Sequence, residues 1–128
     1  MKNNPKNTSR LEKVAEEIRR EVSTIILYEL SDPRVSSVTV TAVKMSPDLS
    51  LARVYFTLPG QAEKKEEALK GLRSAAGAIR KLVAGRIVLK FMPQFDFYYD
   101  ESLELQDRID SLFEKIHSSP DTIPSEDE

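Results

Sequence analysis

The hydrophobic pattern of this chain switches repeatedly between helical and β-strand spacing, and this switching constrains the fold more than any other feature of the sequence. Apolar residues first recur every three or four positions, which is typical of an amphipathic helix. Two short runs, at 38–43 and 52–58, then alternate in the manner of β-strands. Helical spacing returns from about residue 63 to residue 83. The apolar positions of the first helical segment are Leu11, Val14, Ala15, Ile18, Val22, Ile25 and Ile26.

Cap and turn residues set the expected boundaries of these elements. Ser9 and Glu12 form a capping-box pattern, so we expect the first helix to begin at Ser9 and run to about Leu30. Pro33 ends it, because proline disfavours helical geometry in the residue before it. Ser46-Pro47-Asp48 predicts a turn, so the two strands should form an antiparallel hairpin.

The second half of the chain predicts a divided helix, a third strand and a last helix. Gly77 lies among small residues inside the second helical segment and predicts a kink or a break, the alternative being a glycine kept for close packing. Ile87-Val88-Leu89 is expected to start the third strand, and Asp100 or Ser102 to cap the last helix. The order is then α-β-β-α-(kink)-α-β-α, an α+β class with a three-stranded sheet and helices packed on one face.

The length of 128 residues fits one domain. We expect a flexible N-terminus at 1–8, the folded domain at 9–117 and an acidic disordered tail at 118–128. The polar N-terminus is no signal peptide and no apolar run would span a membrane, so a cytoplasmic protein is expected.

The charges of this chain are divided between its two parts. Residues 1–93 hold 17 positive and 10 negative side chains, whereas residues 94–128 hold 2 positive and 11 negative. Such a division favours a surface that faces nucleic acid, although a dipolar solvated surface is the alternative.

Cations cluster around the predicted break at Gly77. A helix that starts after it would offer the unpaired N–H groups of Ala78, Ile79 and Arg80 to a phosphate. The side chains that would neutralise phosphates there without reading bases are Lys70, Arg73, Arg80, Lys81, Arg86 and Lys90. The alternative is a solvated helix face, and the same alternative applies to the cations of the first helix, which are mixed with glutamates.

Aromatic residues of the strands are expected to divide between two faces. Phe56, Phe95 and Phe97 fall on the face predicted to be buried. Tyr55 and Tyr98 should point the other way, where they are candidates to stack on bases.

Residues for catalysis or metal binding are few. The chain has no cysteine and one histidine, His117, which excludes thiol nucleophiles and cysteine-ligated zinc. Asp96, Asp100, Glu101 and Glu104 are better explained as a cap and as favourable charges near a helix N-terminus. We therefore predict no enzyme activity, no metal, no cofactor and no small-molecule substrate.

Taken in order, several segments of this chain resemble the bacterial ribosome-binding factor A family over roughly residues 9–116. The matching segments are Arg10 with Ile18 and Arg19, Ser31-Asp32-Pro33-Arg34, Val38-Thr39-Val40-Thr41 with Val43, Ser46-Pro47-Asp48-Leu49, Ala52-Arg53-Val54-Tyr55-Phe56, Ala75-Ala76-Gly77-Ala78-Ile79-Arg80 and Pro93-Gln94-Phe95-Asp96-Phe97-Tyr98-Tyr99-Asp100.

This resemblance implies a type II KH-like fold and a monomeric assembly factor. Such a factor would bind the small (30S) ribosomal subunit, contact 16S rRNA and assist its late maturation, notably in the cold. The chain lacks the GXXG loop of ordinary KH domains. The resemblance offers an Ala-x-Gly kink instead, which adds Ala75 and Gly77 to the RNA-binding candidates.

Two other classes of function stay open on the sequence alone. A protein-interaction module would use the apolar helix stripes to bind a partner and would not touch RNA. A small α+β hydrolase is the other alternative.

Overall fold

A computed structural model describes residues 5–102 and 109–114 of the chain, with side chains from residue 9 onward. Helix α1 spans Pro5–Tyr28 and helix α2 spans Lys65–Ala84. The strands are β1, Thr39–Met45, β2, Leu51–Thr57, and β3, Gln94–Tyr99. Residues 109–114 are also helical.

The three strands form one sheet in the order β1-β2-β3. β1 and β2 pair antiparallel, as the hairpin prediction requires. β3 pairs with β2 in parallel, from Leu51 opposite Gln94 to Phe56 opposite Tyr99. Parallel neighbouring strands need a crossover connection. Helix α2 provides it, because it connects the end of β2 to the start of β3 across one face of the sheet.

Both helices pack on one face of the sheet. α1 lies against β1, α2 lies against β3, and the two helices contact each other. The largest fully buried side chains of the core come from both helices and from β2 and β3, which confirms the α+β class with helices on one face. They are Ile18, Val22 and Ile25 of α1, Val54 and Phe56 of β2, Leu72, Ile79 and Val83 of α2, and Phe97 of β3.

Asp32 stabilises the connection from α1 to β1. Its Oδ1 accepts a hydrogen bond from the Arg34 N–H at 2.9 Å, and its Oδ2 pairs with the Arg34 guanidinium at 2.7 Å. Pro33 begins a short 3-10 turn, Pro33–Val35, whose Val35 is only 1% exposed. This turn packs against α2 at Gly71.

The β1–β2 turn is organised by Asp48. Its Oδ1 accepts hydrogen bonds from the Ser46 hydroxyl at 2.8 Å, the Ser50 N–H at 3.0 Å and the Ser50 hydroxyl at 2.7 Å. These hydrogen bonds, first those from Ser50 and then that from Ser46, lower the pKa of Asp48 to about 2. The turn therefore carries a fixed negative charge.

The expected start of α1 at Ser9 is wrong. The helix already includes residues 5–8, part of the N-terminal segment expected to be flexible, so Ser9 is not its cap. Residues 1–4 and the predicted tail at 118–128 lie outside the described part of the chain, as do Glu104 and His117.

The expected division of α2 at Gly77 is also wrong, because one helix runs without interruption from Lys65 to Ala84. A glycine inside a helix costs only about 1 kcal/mol relative to alanine. Continuity lets Leu72 before Gly77 and Ile79 and Val83 after it enter the same core. Each of these buried side chains contributes roughly 1.5–3 kcal/mol.

The third strand begins later than predicted. Ile87-Val88-Leu89 lies in an irregular connection, and β3 starts only after Pro93. In this connection Arg80 binds the carbonyl oxygens of Met92 and Pro93. These acceptors are thus committed to a side chain of α2 before the strand begins.

Substitution by alanine should have opposite effects on the free energy of unfolding at the two glycines of α2. A Cβ at Gly71 would lie 2.9 Å from Val35 Cγ1 and 3.1 Å from Arg34 Cβ, whereas a Cβ at Gly77 would meet nothing within 4 Å beyond the adjacent backbone of its own helix. We expect Gly71→Ala to lower the free energy of unfolding by about 1–3 kcal/mol through overpacking. Gly77→Ala should raise it by up to about 1 kcal/mol. Urea unfolding of both variants checks this, and equal effects would contradict the helix placement.

The Asp48 turn should make stability depend on pH. The pKa of Asp48 in the fold is about 2, below its ordinary value of 3.8. Its contribution is therefore complete above pH about 5 and is lost as the pH falls toward 2. We expect Asp48→Asn to destabilise the protein at pH 7 but to unfold like the parent near pH 2. A constant difference across a pH series of urea titrations would contradict this role.

Candidate nucleic-acid interface

Helix α2 turns one face to the core and the opposite face to solvent. The buried face carries Ala68, Gly71, Leu72, Ile79 and Val83. The exposed face forms what we call the basic ridge, because the 3.6-residue period places three cations and three small residues on it. The ridge consists of Lys70, Arg73, Ser74, Gly77, Ala78 and Lys81, all exposed.

The centre of the basic ridge is flat. Ser74, Gly77 and Ala78 project little beyond the helix backbone, and nothing lies within 4 Å of the position of a Cβ at Gly77. Lys70 and Lys81 stand on either side, about 16 Å apart along the axis at 1.5 Å per residue. A phosphate backbone can approach such a surface closely and meet a cation at each end.

The cations of the basic ridge differ in how far they are neutralised. Within the described parts of the chain, neither Lys70 nor Lys81 contacts a carboxylate. Arg73 lies 3.5 Å from Asp96 Oδ1, in a pair whose side chains are both exposed by more than a third. Lys70 and Lys81 therefore carry most of the uncompensated charge.

The side chain of Arg80 is hydrogen-bonded to other parts of the fold and does not simply extend into solvent. Its Nε donates to the Pro93 carbonyl at 2.9 Å and a terminal nitrogen donates to the Met92 carbonyl at 2.8 Å. The predicted phosphate site on unpaired N–H groups at residues 78–80 is wrong, because these groups lie inside a continuous helix and bond to carbonyls four residues earlier.

Arg86 joins the ends of the two helices. It donates a hydrogen bond to Glu29 and lies 3.6 Å from Glu21. The hydrogen bond from Arg86 lowers the pKa of Glu29, and the same bond raises the pKa of Arg86. Two carboxylates thus neutralise this arginine where the sequence suggested a free cation.

The two remaining RNA-binding candidates also lie in different surroundings. Ala75 is half-buried and packs against the core below the basic ridge. Lys90 is exposed beyond the end of α2, with its ammonium 5.8 Å from the centre of the Phe91 ring. The structure therefore gathers Lys70, Arg73, Gly77 and Lys81 on one surface and places the other candidates elsewhere.

Two of the cations of α1, Arg19 and Arg20, are paired with a glutamate of the same helix. Arg19 makes two hydrogen bonds to Glu16, at 2.9 and 2.6 Å, and Arg20 makes one at 3.3 Å. The hydrogen bond from Arg19, with smaller effects of Arg20, lowers the pKa of Glu16 to about 2. The alternative of a solvated, self-neutralised helix face fits this part of the chain.

The strands separate their aromatic residues as the alternation predicts. Phe56, Phe95 and Phe97 are buried in the core. Tyr55 and Tyr98 stack on each other on the opposite face, with 5.5 Å between ring centres. Each tyrosine is thus partly covered by the other.

The acidic residues considered for catalysis have structural partners. Asp96 accepts the Phe97 N–H at 2.8 Å, and Glu101 pairs with Lys65 at 3.2 Å. Asp100 accepts hydrogen bonds from Thr41 at 2.7 Å and from the Ser102 N–H at 2.9 Å, and its pKa is lowered by Ser102 and Thr41. No group of three acidic or histidine side chains in the described residues is placed to hold a metal ion. No helix among them is long and apolar enough to cross a membrane.

Sequence reasoning missed one surface, on the connection from α2 to β3. Val88 is 99% exposed and Phe91 is 76% exposed, although this apolar run was expected to enter the sheet. Phe91 borders a cavity of about 500 Å³. The signal available in the sequence was Pro93, which argues against a central strand immediately around it.

Comparisons with known proteins agree on one family. The sequence model of ribosome-binding factor A matches residues 10–113. Ribosome-binding factor A of Geobacter metallireducens is 45% identical over 109 residues, which cover 85% of this chain and 92% of that protein.

Solved structures give the same result. The crystal structure of ribosome-binding factor A from Thermus thermophilus matches with a TM-score of 0.65 and 26% identity, over 72% of this chain and 97% of that one. A homology model of the Thermus thermophilus factor, fitted into a cryo-EM map of a 30S complex with it, matches with a TM-score of 0.60 and 25% identity over 71% and 96% of the two chains.

These likenesses confirm the KH-like fold that the resemblance implied. The family model covers residues 10–113. The chain belongs to the ribosome-binding factor A family.

Proposed function

We propose that this protein is a non-enzymatic ribosome assembly factor. It binds the small (30S) subunit by contacting 16S rRNA, assists late 16S rRNA processing and subunit maturation, including during cold adaptation, and then leaves. The observation that carries this proposal is the family match over residues 10–113. The relative that was fitted into a 30S complex supports the choice of the small subunit.

The basic ridge of α2 is the surface that we assign to the rRNA. Lys70 and Lys81 have no carboxylate partner within the described residues, and the small side chains between them leave room for a phosphate backbone. Lysines that meet phosphates position a protein on RNA without reading its bases. This suits a factor that recognises the shape of an immature subunit.

The proposal requires neither a cofactor nor a small-molecule substrate. The candidate carboxylates Asp96, Asp100 and Glu101 already serve the fold through the hydrogen bonds and the ion pair given above. We further propose that the protein acts as a monomer in the cytoplasm. A module that binds only a partner protein is the competing function, and the next two experiments distinguish it.

Binding to small subunits should weaken steeply as salt is added. If about five phosphates are neutralised, log K should fall against log[salt] with a slope of roughly −3 to −4, using the single-strand coefficient. Co-sedimentation with purified small subunits over a salt series measures this slope. A slope near zero would favour a protein partner instead.

Reversing the charges of Lys70 and Lys81, which have no carboxylate partner in the described part of the chain, should abolish this binding. We expect Lys70→Glu with Lys81→Glu to abolish co-sedimentation at moderate salt, while circular dichroism and urea unfolding stay like the parent, because both side chains are exposed. Arg80 is left unchanged because its loss would release the Met92 and Pro93 carbonyls.

The matched control makes the same change of charge elsewhere. Lys13→Glu with Arg53→Glu alters two exposed cations of α1 and β2 and should leave most of the binding intact. If the control variant loses binding and the ridge variant keeps it, the rRNA surface does not lie on α2.

A further inference from the structure

A cavity lies at the end of the domain where α2 leaves the sheet. It has a volume of about 500 Å³ and lies among the N-terminal part of α1, the β1–β2 turn and the connection from α2 to β3. Its apolar lining comes from Leu49, Leu89, Phe91 and Met92. Arg10, Asp48 and Lys90 add charged groups to the same lining. None of these residues belongs to the basic ridge.

Phe91 presents its ring to solvent from a braced segment. The side chain is 76% exposed and lines the cavity together with Leu49, Leu89 and Met92, so the ring and the apolar lining form one accessible surface. The next two residues, Met92 and Pro93, are fixed through their carbonyls by Arg80. The main chain next to the ring is therefore fixed, so that less of it needs to be ordered when a ligand binds.

The charges of the cavity select among ligands. Arg10 and Lys90 suit an anionic ligand, but Asp48 keeps its negative charge because Ser46 and Ser50 donate hydrogen bonds to it. An acidic peptide would bring a carboxylate toward Asp48. A nucleotide instead combines a flat ring that bears amino donors with a phosphate, so it can satisfy the apolar, acidic and basic groups together.

We propose that this cavity receives one unstacked base of single-stranded RNA. The base stacks on Phe91 and its phosphate lies beside Lys90 and Arg10. The inference rests on the proposed function and adds to it a second contact, away from α2, that recognises an unpaired nucleotide. The cation–π position of Lys90, 5.8 Å from the ring centre, leaves its ammonium near any nucleotide stacked there.

Phe91→Ala, Phe91→Trp and Val88→Ala test the cavity with purified small subunits. We expect Phe91→Ala to weaken binding by about 5- to 150-fold, the usual loss for one base–aromatic stack. The salt slope should not change, because no cation is removed. Phe91→Trp should bind like the parent. Val88→Ala should also bind like the parent, because Val88 is 99% exposed on the same connection and does not line the cavity.

Chemical probing of the rRNA bases identifies the occupant. The parent protein should protect an unpaired base that Phe91→Ala, added at saturating concentration, leaves reactive. Parent-like affinity of Phe91→Ala overturns the inference while the proposed function stands. Weaker binding with no change in base reactivity also overturns it, since the cavity then holds a protein group. If the parent does not bind small subunits, the proposed function fails as well.

Discussion

The parallel pairing of β2 with β3 is the constraint on which the rest of this structure depends. Parallel neighbours cannot be joined by a tight turn, so the chain must cross back over the sheet, and α2 makes that crossing. The crossing buries one side of α2 against β3 and the turn at Val35. The opposite side of α2 is then necessarily exposed along its full length. The basic ridge is thus a direct consequence of the strand order.

Ion pairs within the fold decide which cations remain available to bind a polyanion. Arg86 is surrounded by Glu21 and Glu29, and Arg19 is bound to Glu16. Such pairs connect elements or stiffen a helix, and each removes a positive charge from the surface. Lys70 and Lys81 keep theirs, since neither forms an ion pair with a carboxylate of the described residues, although Glu66 and Glu67 lie one turn before Lys70. The excess of cations in residues 1–93 therefore becomes a local basic surface only because some of these cations are neutralised by ion pairs and others are not.

Arg80 shows how one side chain can serve the fold and still shape a binding surface. It spans from α2 to the carbonyls of Met92 and Pro93, which fixes the irregular connection before β3. That connection then carries Phe91 outward and closes one side of the cavity. Arg80 therefore affects ligand binding in the cavity indirectly, by positioning the connection that carries Phe91.

The sequence by itself determined the hairpin, the buried faces of α1, α2, β2 and β3, and the family, because hydrophobic period and turn chemistry are local properties. It did not determine the buried face of β1, where an irregularity between Val40 and Ala42 turns Val43 inward. It placed a break at Gly77 and a strand at Ile87, since a glycine and an apolar run have those local preferences. Only the tertiary structure decided otherwise: burial of Leu72, Ile79 and Val83 outweighs the helix penalty of one glycine. Which cations stay unpaired also depended on tertiary structure, because the partners of Arg80 and Arg86 come from residues distant in the chain.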